Sequence, residues 1–383
     1  MAMPEKTIIS ADSHVFEPVN LWETRMDKKF RERGPRFISD WQGKPGTWFV
    51  CEGITNPRSI TSIAATGVPK EDLVKFKDVH HKDLRPGGYD PVQRLKDQDI
   101  DGVSGEVLYA TYAMQLYNIP DAELQEAAFS AYNEWLAEMC SAAPDRLVGL
   151  ALISMYNIDH AVKELQRWTK RGLRGAMIAV VPPEGTEYSD ALYEPFWAAA
   201  ADIGAPISIH TLTSNRKPNY RFNRETRGAA RYPENPMEVM LTLGEMLTSP
   251  LFDRHPRLRL VLAEADTGWL PWLLARVDRG HERYAKQNGI HTELKPSEYF
   301  HRNVSASFIM DRVGVFNRES MGVENLMWSS DYPHTDSTWP RSRESIEHDF
   351  VGVSEADRIK MTCTNAAKLY GFRIGQKSPA EAH

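Results

Sequence analysis

The run Ile8-Ile9-Ser10-Ala11-Asp12-Ser13-His14 places a carboxylate and an imidazole two residues apart at the end of a β-branched stretch. Residues i and i+2 of an extended strand face the same way, so Asp12 and His14 can converge on one point and grip a cation there. The bare tripeptide also fits a turn-capping aspartate beside an ordinary loop histidine. Three later stretches repeat the pattern, each an apolar run ending in a group that binds metal or moves protons. Pro206-Ile207-Ser208-Ile209 ends in His210, Leu258 to Ala263 runs into Glu264-Ala265-Asp266, and Leu326-Met327-Trp328-Ser329-Ser330 ends in Asp331, with Tyr332-Pro333-His334 behind it. Singly, each reads as a helix cap or a core histidine. Four at strand ends point to one site.

The elements that must position these groups are buried strands. Apolar runs predict strands over Thr7–Asp12, Gly102–Tyr109, Leu147–Ser154, Arg174–Val181, Pro206–Thr211, Leu258–Glu264, Arg302–Phe308 and Asn325–Asp331. Most are near-continuous, as strands covered on both faces of a parallel sheet are. Helical patterns alternate with them, the longest over Asp121–Ala143 and the last over Ser354–Tyr370. This alternation predicts an α/β fold, a (β/α)8 TIM barrel with a large insertion after the first strand. A doubly wound open sheet is the runner-up, weakened because no Gly-x-Gly-x-x-Gly turn follows a strand. In a barrel the C-terminal strand ends surround one mouth, which brings the polar strand ends together.

Length and composition bound the rest. The chain has 383 residues, 42% hydrophobic and 26% charged, ordinary values for a soluble globular protein. A formal charge of −6 argues against a general nucleic-acid binder, and no apolar run is long enough to span a membrane. Cys51, Cys140 and Cys363 are sparse, odd in number and in no metal spacing, which suggests reduced thiols and a cytoplasmic location. One domain is expected over residues 1–375, with 376–383 a frayed tail. The insertion, residues 15–90, is rich in Trp, Phe, Pro and Gly, and is expected to be a cap over the pocket or an interface with another subunit. Its His80 and His81 are read as surface residues rather than ligands.

Several stretches resemble the amidohydrolase superfamily, in its amidohydrolase-2 branch of decarboxylases and related C–C bond hydrolases. They include Ser10 to His14, Gly105-Glu106-Val107-Leu108-Tyr109, Ala143-Pro144-Asp145-Arg146, Gly268-Trp269-Leu270-Pro271 and, most specific, Ser330-Asp331-Tyr332-Pro333-His334. The resemblance implies one divalent metal ion held by Asp12, His14, His210 and Asp331. Two departures stand out. Strand one carries Asp-x-His where better-known members have His-x-His, and Glu264 stands where a catalytic histidine is usual. Two carboxylates and two imidazoles suit Zn or Mn, with Fe a third option.

Roles follow as expectations. Asp331 would serve as general base and acid. Glu264, among anionic ligands, is expected to have a raised pKa and to donate a proton, or else to orient His210 from behind. His334 would contact substrate or fix the loop after Asp331. Between Thr211 and Tyr232 lie Arg216, Lys217, Arg221, Arg224, Arg227 and Arg231, which favour a small anionic substrate or serve as solvated or intersubunit contacts. The favoured reaction is non-oxidative decarboxylation of an aromatic or unsaturated carboxylic acid. The alternative is hydrolysis of a C–C, ester or amide bond, with hydration third and a degenerate binding scaffold the non-enzyme reading. A homodimer or larger homo-oligomer is expected from the resemblance.

Overall fold

The structure, a computed structural model, describes residues 7–214 and 232–373. Twelve strands are present among them: β1 (Ile9–His14), β2 (Arg36–Ser39), β3 (Thr47–Val50), β4 (Arg58–Ser59), β5 (Gly105–Tyr109), β6 (Leu147–Gly149), β7 (Ala151–Leu152), β8 (Ala176–Ile178), β9 (Ile207–His210), β10 (Leu260–Ala263), β11 (Val304–Phe308) and β12 (Leu326–Trp328). Nine of them form two parallel sheets, in the orders β1-β5-β6 and β12-β11-β10-β9-β8-β7. The order follows the chain without the reversal that a doubly wound sheet requires, which removes that runner-up.

The predicted third strand is the place where the two sheets meet. Leu150, between β6 and β7, donates its N–H to Leu108 of β5, and Ala151 donates to Gly175 just before β8. Beyond it, both main-chain groups of Leu152 turn to one side chain. Asn133 Nδ2 donates to Leu152 O at 2.9 Å, and Asn133 Oδ1 accepts from Leu152 N at 2.7 Å. Asn133 belongs to the helix Ala122–Ser141, whose N-cap Asp121 accepts from Leu124 N. At the other edge, Asp331 N donates to Asp12 O at 3.0 Å and His14 N to Tyr332 O at 2.6 Å. The segment after β12 is thereby laced to β1.

Residues of the two parallel sheets are almost wholly buried, as near-continuous apolar strands require. Trp168, Trp197 and Trp328 are among the largest fully buried side chains. Helices alternate with the predicted strands, among them Ala122–Ser141, within the expected Asp121–Ala143, and Glu194–Ile203. The last one differs: Glu355–Ile359 and Asn365–Tyr370 flank a wider turn over Lys360–Thr364.

The insertion has its own antiparallel sheet, ordered β2-β3-β4. These strands are short and unevenly buried, so their periodicity is weak in the sequence. Phe37 and Phe49 pack against Trp22 and against Tyr112, which lies just beyond β5. Trp22 Nε1 also donates to Ala128 O at 3.1 Å. His81, expected at the surface, is half-buried and its Nε2 bonds the carbonyl oxygen of Glu17 at 2.9 Å. The insertion touches the segment after β12 as well, where Thr66 Oγ1 donates to His334 O at 2.6 Å.

Candidate functional site

The strand-end groups converge. His14 Nε2 lies 3.5 Å from Asp12 Oδ1, 3.3 Å from Asp331 Oδ1 and 3.5 Å from Glu264 Oε2. His210 Nε2 lies 3.8 Å from Asp12 Oδ1 and 3.3 Å from Glu264 Oε2. A register shift between Ser10 and Ser13 breaks the regular pairing of β1 with β5, a bulge beside the point where Asp12 and His14 are presented. Glu264 and Asp331 sit just past their strands in the left-handed region, at φ 51° and 56°. Non-glycine residues adopt that conformation at a cost, and such outliers gather where function needs a side chain aimed.

Both histidines are oriented by main-chain carbonyls. His14 Nδ1 bonds Ala110 O at 2.7 Å and His210 Nδ1 bonds Thr211 O at 2.9 Å. A carbonyl only accepts, so each Nδ1 carries the hydrogen and each Nε2 faces the cluster. The expectation that Glu264 orients His210 from behind is therefore corrected. That task falls to Thr211 O, and Glu264 faces the same Nε2 atoms as the other carboxylates. Asp12 is held by Ser307, whose Oγ donates to Asp12 Oδ2 at 3.2 Å and accepts from Glu264 N at 3.2 Å. Its signal was a polar residue alternating with apolar ones in Val304-Ser305-Ala306-Ser307-Phe308.

Among the described residues four buried atoms of this cluster make no hydrogen bond of good geometry: Asp12 Oδ1, His14 Nε2, His210 Nε2 and Asp331 Oδ1, the last with only His334 Nδ1 nearby. Leaving four such atoms unpaired in one place is costly unless something binds them together. Donors about 2.1 Å from a common ion stand about 3–3.5 Å apart, close to the spacings above. His14, Glu264, Asp331 and His334 form one group able to hold a metal ion, and Asp12, His14 and His210 another. The residues present fit a divalent cation.

Electrostatics separates the two carboxylates on the cavity side. Burial, then the charges of Glu264 and Asp12, push the Asp331 carboxyl well above the ordinary carboxylate range. Burial would raise Glu264 too, but the imidazoles of His14 and His210 outweigh it and hold Glu264 at about 2. The expected raised pKa of Glu264 is thus corrected: of the pair, Asp331 keeps the proton. For His210, burial works downward while Asp12 and Glu264 lift it to about 9.

His334 completes the cluster. Its Nδ1 is 3.0 Å from Asp331 Oδ1, its Nε2 bonds Thr111 Oγ1 at 2.9 Å, and its ring stacks on His14 with centroids 4.0 Å apart. Burial lowers its pKa to about 4, so it is neutral. Thr111, two residues past β5, was missed; its only signal was an aliphatic hydroxyl between the two tyrosines of Tyr109 to Ala113. A cavity of about 470 Å³ opens on Glu264, Asp331 and His334, and is also lined by Trp269 and by Arg58 and Ile63 of the insertion. The six cationic residues Arg216, Lys217, Arg221, Arg224, Arg227 and Arg231 lie outside the described residues.

Residues 78–372 match the family model described as amidohydrolase. The chain belongs to the amidohydrolase family. A gamma-resorcylate decarboxylase of Rhodococcus jostii is 28% identical to this amidohydrolase over 305 residues, 72% of this chain and 86% of the relative. An amidohydrolase crystal structure from Mycobacterium avium subsp. paratuberculosis superposes with a TM-score of 0.77 at 22% identity, covering 96% of this chain and 99% of the other. A dihydroxybenzoic acid decarboxylase from Polaromonas, solved with manganese and 2-nitroresorcinol, gives 0.66 at 18% identity, with 96% and 97% covered. These structures share the fold of this amidohydrolase.

Proposed function

We propose that this amidohydrolase is a metal-dependent carboxy-lyase that decarboxylates an aromatic or unsaturated carboxylic acid without oxidation. The observation that carries the reading is a cluster of metal-type donors, without hydrogen-bond partners among the described residues, that meets a cavity at Glu264 and Asp331; burial beside Glu264 and Asp12 favours the protonated form of Asp331. The names of its relatives support the substrate class: gamma-resorcylate decarboxylase, dihydroxybenzoic acid decarboxylase, and 2-amino-3-carboxymuconate-6-semialdehyde decarboxylase. Asp12, His14, His210 and Asp331 would hold one divalent ion, with Glu264 as a further donor. The manganese of the Polaromonas structure supports Mn over Zn or Fe. When bound, the ion supplies Lewis acidity that fixes the substrate's oxygens and offsets their charge.

The chain's own groups do the rest. Arg58, the cationic side chain among the described cavity-lining residues, attracts the anionic substrate, and Trp269 offers a flat apolar wall. Asp331 gives its proton to the carbon that bears the carboxylate. The C–C bond breaks, its electron pair stays with the carbon, and carbon dioxide leaves. Asp331 then regains a proton through His334, which bridges it to Thr111.

The same proposal takes the two parallel sheets as one closed (β/α)8 barrel within a single domain over 1–375. The main-chain bonds at Leu150 and at Asp331 support closure. Residues 15–90 act as a cap, supported by Arg58 and Ile63 at the cavity wall. Cytoplasmic location is supported by three buried free thiols, and a homo-oligomer by family resemblance alone. Among the described residues no helix is long and apolar enough to cross a membrane.

Ionised Glu264 favours a second reading, hydrolysis, because it can accept a proton from an attacking water. The deciding experiment incubates manganese-loaded protein with a panel of hydroxybenzoates and, separately, of aryl esters and amides, in deuterium oxide enriched in oxygen-18. Released carbon dioxide with solvent deuterium at the vacated carbon supports the lyase. Solvent oxygen in an acid product supports the hydrolase.

A further inference from the structure

Three residues beyond His14 the chain buries a carboxylate that the chemistry above does not use. Glu17 is fully buried. Its Oε1 accepts from the main-chain N–H groups of Thr111 at 3.2 Å and Ala113 at 2.9 Å, and its Oε2 accepts from Tyr112 at 3.0 Å. These N–H groups open the short 3-10 helix Ala113–Asn118, where the helix itself offers no acceptor. Three donors converge on this buried carboxyl and favour its ionised form, while burial works the other way and lifts its pKa to about 7.

The gripped segment is where two histidines of the cluster find their orientation. Ala110 O receives His14 Nδ1 at 2.7 Å, and Thr111 Oγ1 meets His334 Nε2 at 2.9 Å. Past Tyr109 the β5 ladder has ended, so the strand no longer fixes these residues. The connection is circular. His14 leads in three residues to Glu17, Glu17 holds 111–113, and the neighbouring carbonyl of Ala110 holds His14.

We propose that Glu17 is a positioning residue, whose carboxylate sets the main chain at 110–113 and thereby the rings of His14 and His334 together. The metal readout of its test rests on the metal-site reading above; the imidazole readout does not. Glu17→Gln keeps the side chain's size but turns an NH2 toward a main-chain N–H. Glu17→Asp keeps the charge and withdraws it by one methylene.

In Glu17→Gln the affinity for Mn2+, followed by electron paramagnetic resonance, should fall about 10- to 100-fold, as when an outer partner of a ligating histidine is lost. In metal-free protein with nitrogen-15 histidine, the ring signals of His14 and His334 should both lose their single-tautomer pattern. Glu17→Asp should fall between Glu17→Gln and wild type. If Glu17→Gln does not fold, Glu17→Asp decides. Thr111→Val, which keeps the main-chain bonds to Glu17, should disturb His334 and leave His14 unchanged. A folded Glu17 variant with wild-type Mn2+ affinity and wild-type imidazole signals overturns the proposal, even if its melting temperature has dropped. Wild-type protein that binds no Mn2+ overturns the metal-site reading instead, and the imidazole signals alone then decide on Glu17.

Discussion

Replacing Arg94 by methionine should nearly unfold this protein, although Arg94 touches neither the cavity nor the unpartnered donors. The guanidinium is fully buried. Its Nε donates to Glu106 Oε2 at 2.6 Å, its Nη1 to His14 O at 2.6 Å, and its Nη2 to Tyr332 O at 3.3 Å. It therefore ties together the two segments that carry His14 and Asp331. Methionine fills most of the aliphatic volume, so the cavity left behind contributes little. Removing one partner of a buried ion pair costs about 3–5 kcal/mol, because Glu106 keeps only the amide of Gln98. Orphaning the carbonyl of His14 adds about 1–3 kcal/mol. The sum, about 4–8 kcal/mol, is comparable to the whole stability of an ordinary domain. Urea unfolding of chelator-treated wild type and variant measures it, and adding Glu106→Gln to Arg94→Met should recover roughly half. Mn2+ affinity of any folded Arg94 variant should fall as well. A loss below about 1 kcal/mol, or no recovery in the double variant, would show that Glu106 is satisfied without Arg94 and that the clamp reasoning is wrong.

Asp331→Asn should abolish turnover while leaving the fold intact, and His210→Ala should lower bound manganese as measured by elemental analysis; turnover unaffected by either change would sink the proposed site. Chelation should both stop turnover and lower the melting temperature, and Mn2+ should restore both, since a ligand of the native state alone stabilises it. Glu245 is raised to about 7 by burial, against the N–H of Ser189. A carboxyl raised in the native state binds its proton more tightly there than when unfolded, so stability falls as pH climbs from about 4.5 through 7. Glu245→Gln should accordingly stabilise by on the order of 1–3 kcal/mol at pH 8 and by almost nothing at pH 5, read from urea midpoints at both pH values. Asn133→Leu strands both main-chain groups of Leu152 and should cost about 2–4 kcal/mol in the same assay.

The strand-end groups that converge were legible because they obey a local rule. A buried strand reads as an apolar run, and a polar residue at its end is exceptional enough to notice: Asp12, His14, His210, Glu264 and Asp331 all announce themselves this way. What orients them was not legible, because it is main chain. Nothing in the side chains of Ala110 or Thr211 reports that their carbonyls fix two imidazoles. The order of proton affinities was misjudged for a related reason. Glu264 and Asp331 both look like acids among acids, and only the structure shows that His14 and His210 both face Glu264. Glu17 left a faint trace, a charge within Val15-Phe16-Glu17-Pro18, which reads equally well as the start of a loop. The strands of the insertion left none, being short and packed on aromatic rings from two directions.

A charge count connects the geometry to the proposed reaction. Three carboxylates, Asp12, Glu264 and Asp331, face two imidazoles whose Nε2 atoms point inward, and among the described residues no lysine or arginine pairs with any of the three. With Asp331 protonated and both imidazoles neutral, as ligands of a metal must be, two negative charges remain, which a divalent ion would cancel. A substrate carboxylate then adds one. When the proton passes to carbon and neutral carbon dioxide departs, that negative charge reappears on Asp331. The buried site carries the same total charge before and after the step, so little of the reorganisation that penalises charge formation in low dielectric is required. A substitution that lowers the proton affinity of Asp331 would put the charge there before the substrate arrives. On the proposed reaction, the surroundings that raise it, burial and the neighbouring charges of Glu264 and Asp12, would belong to the catalytic arrangement.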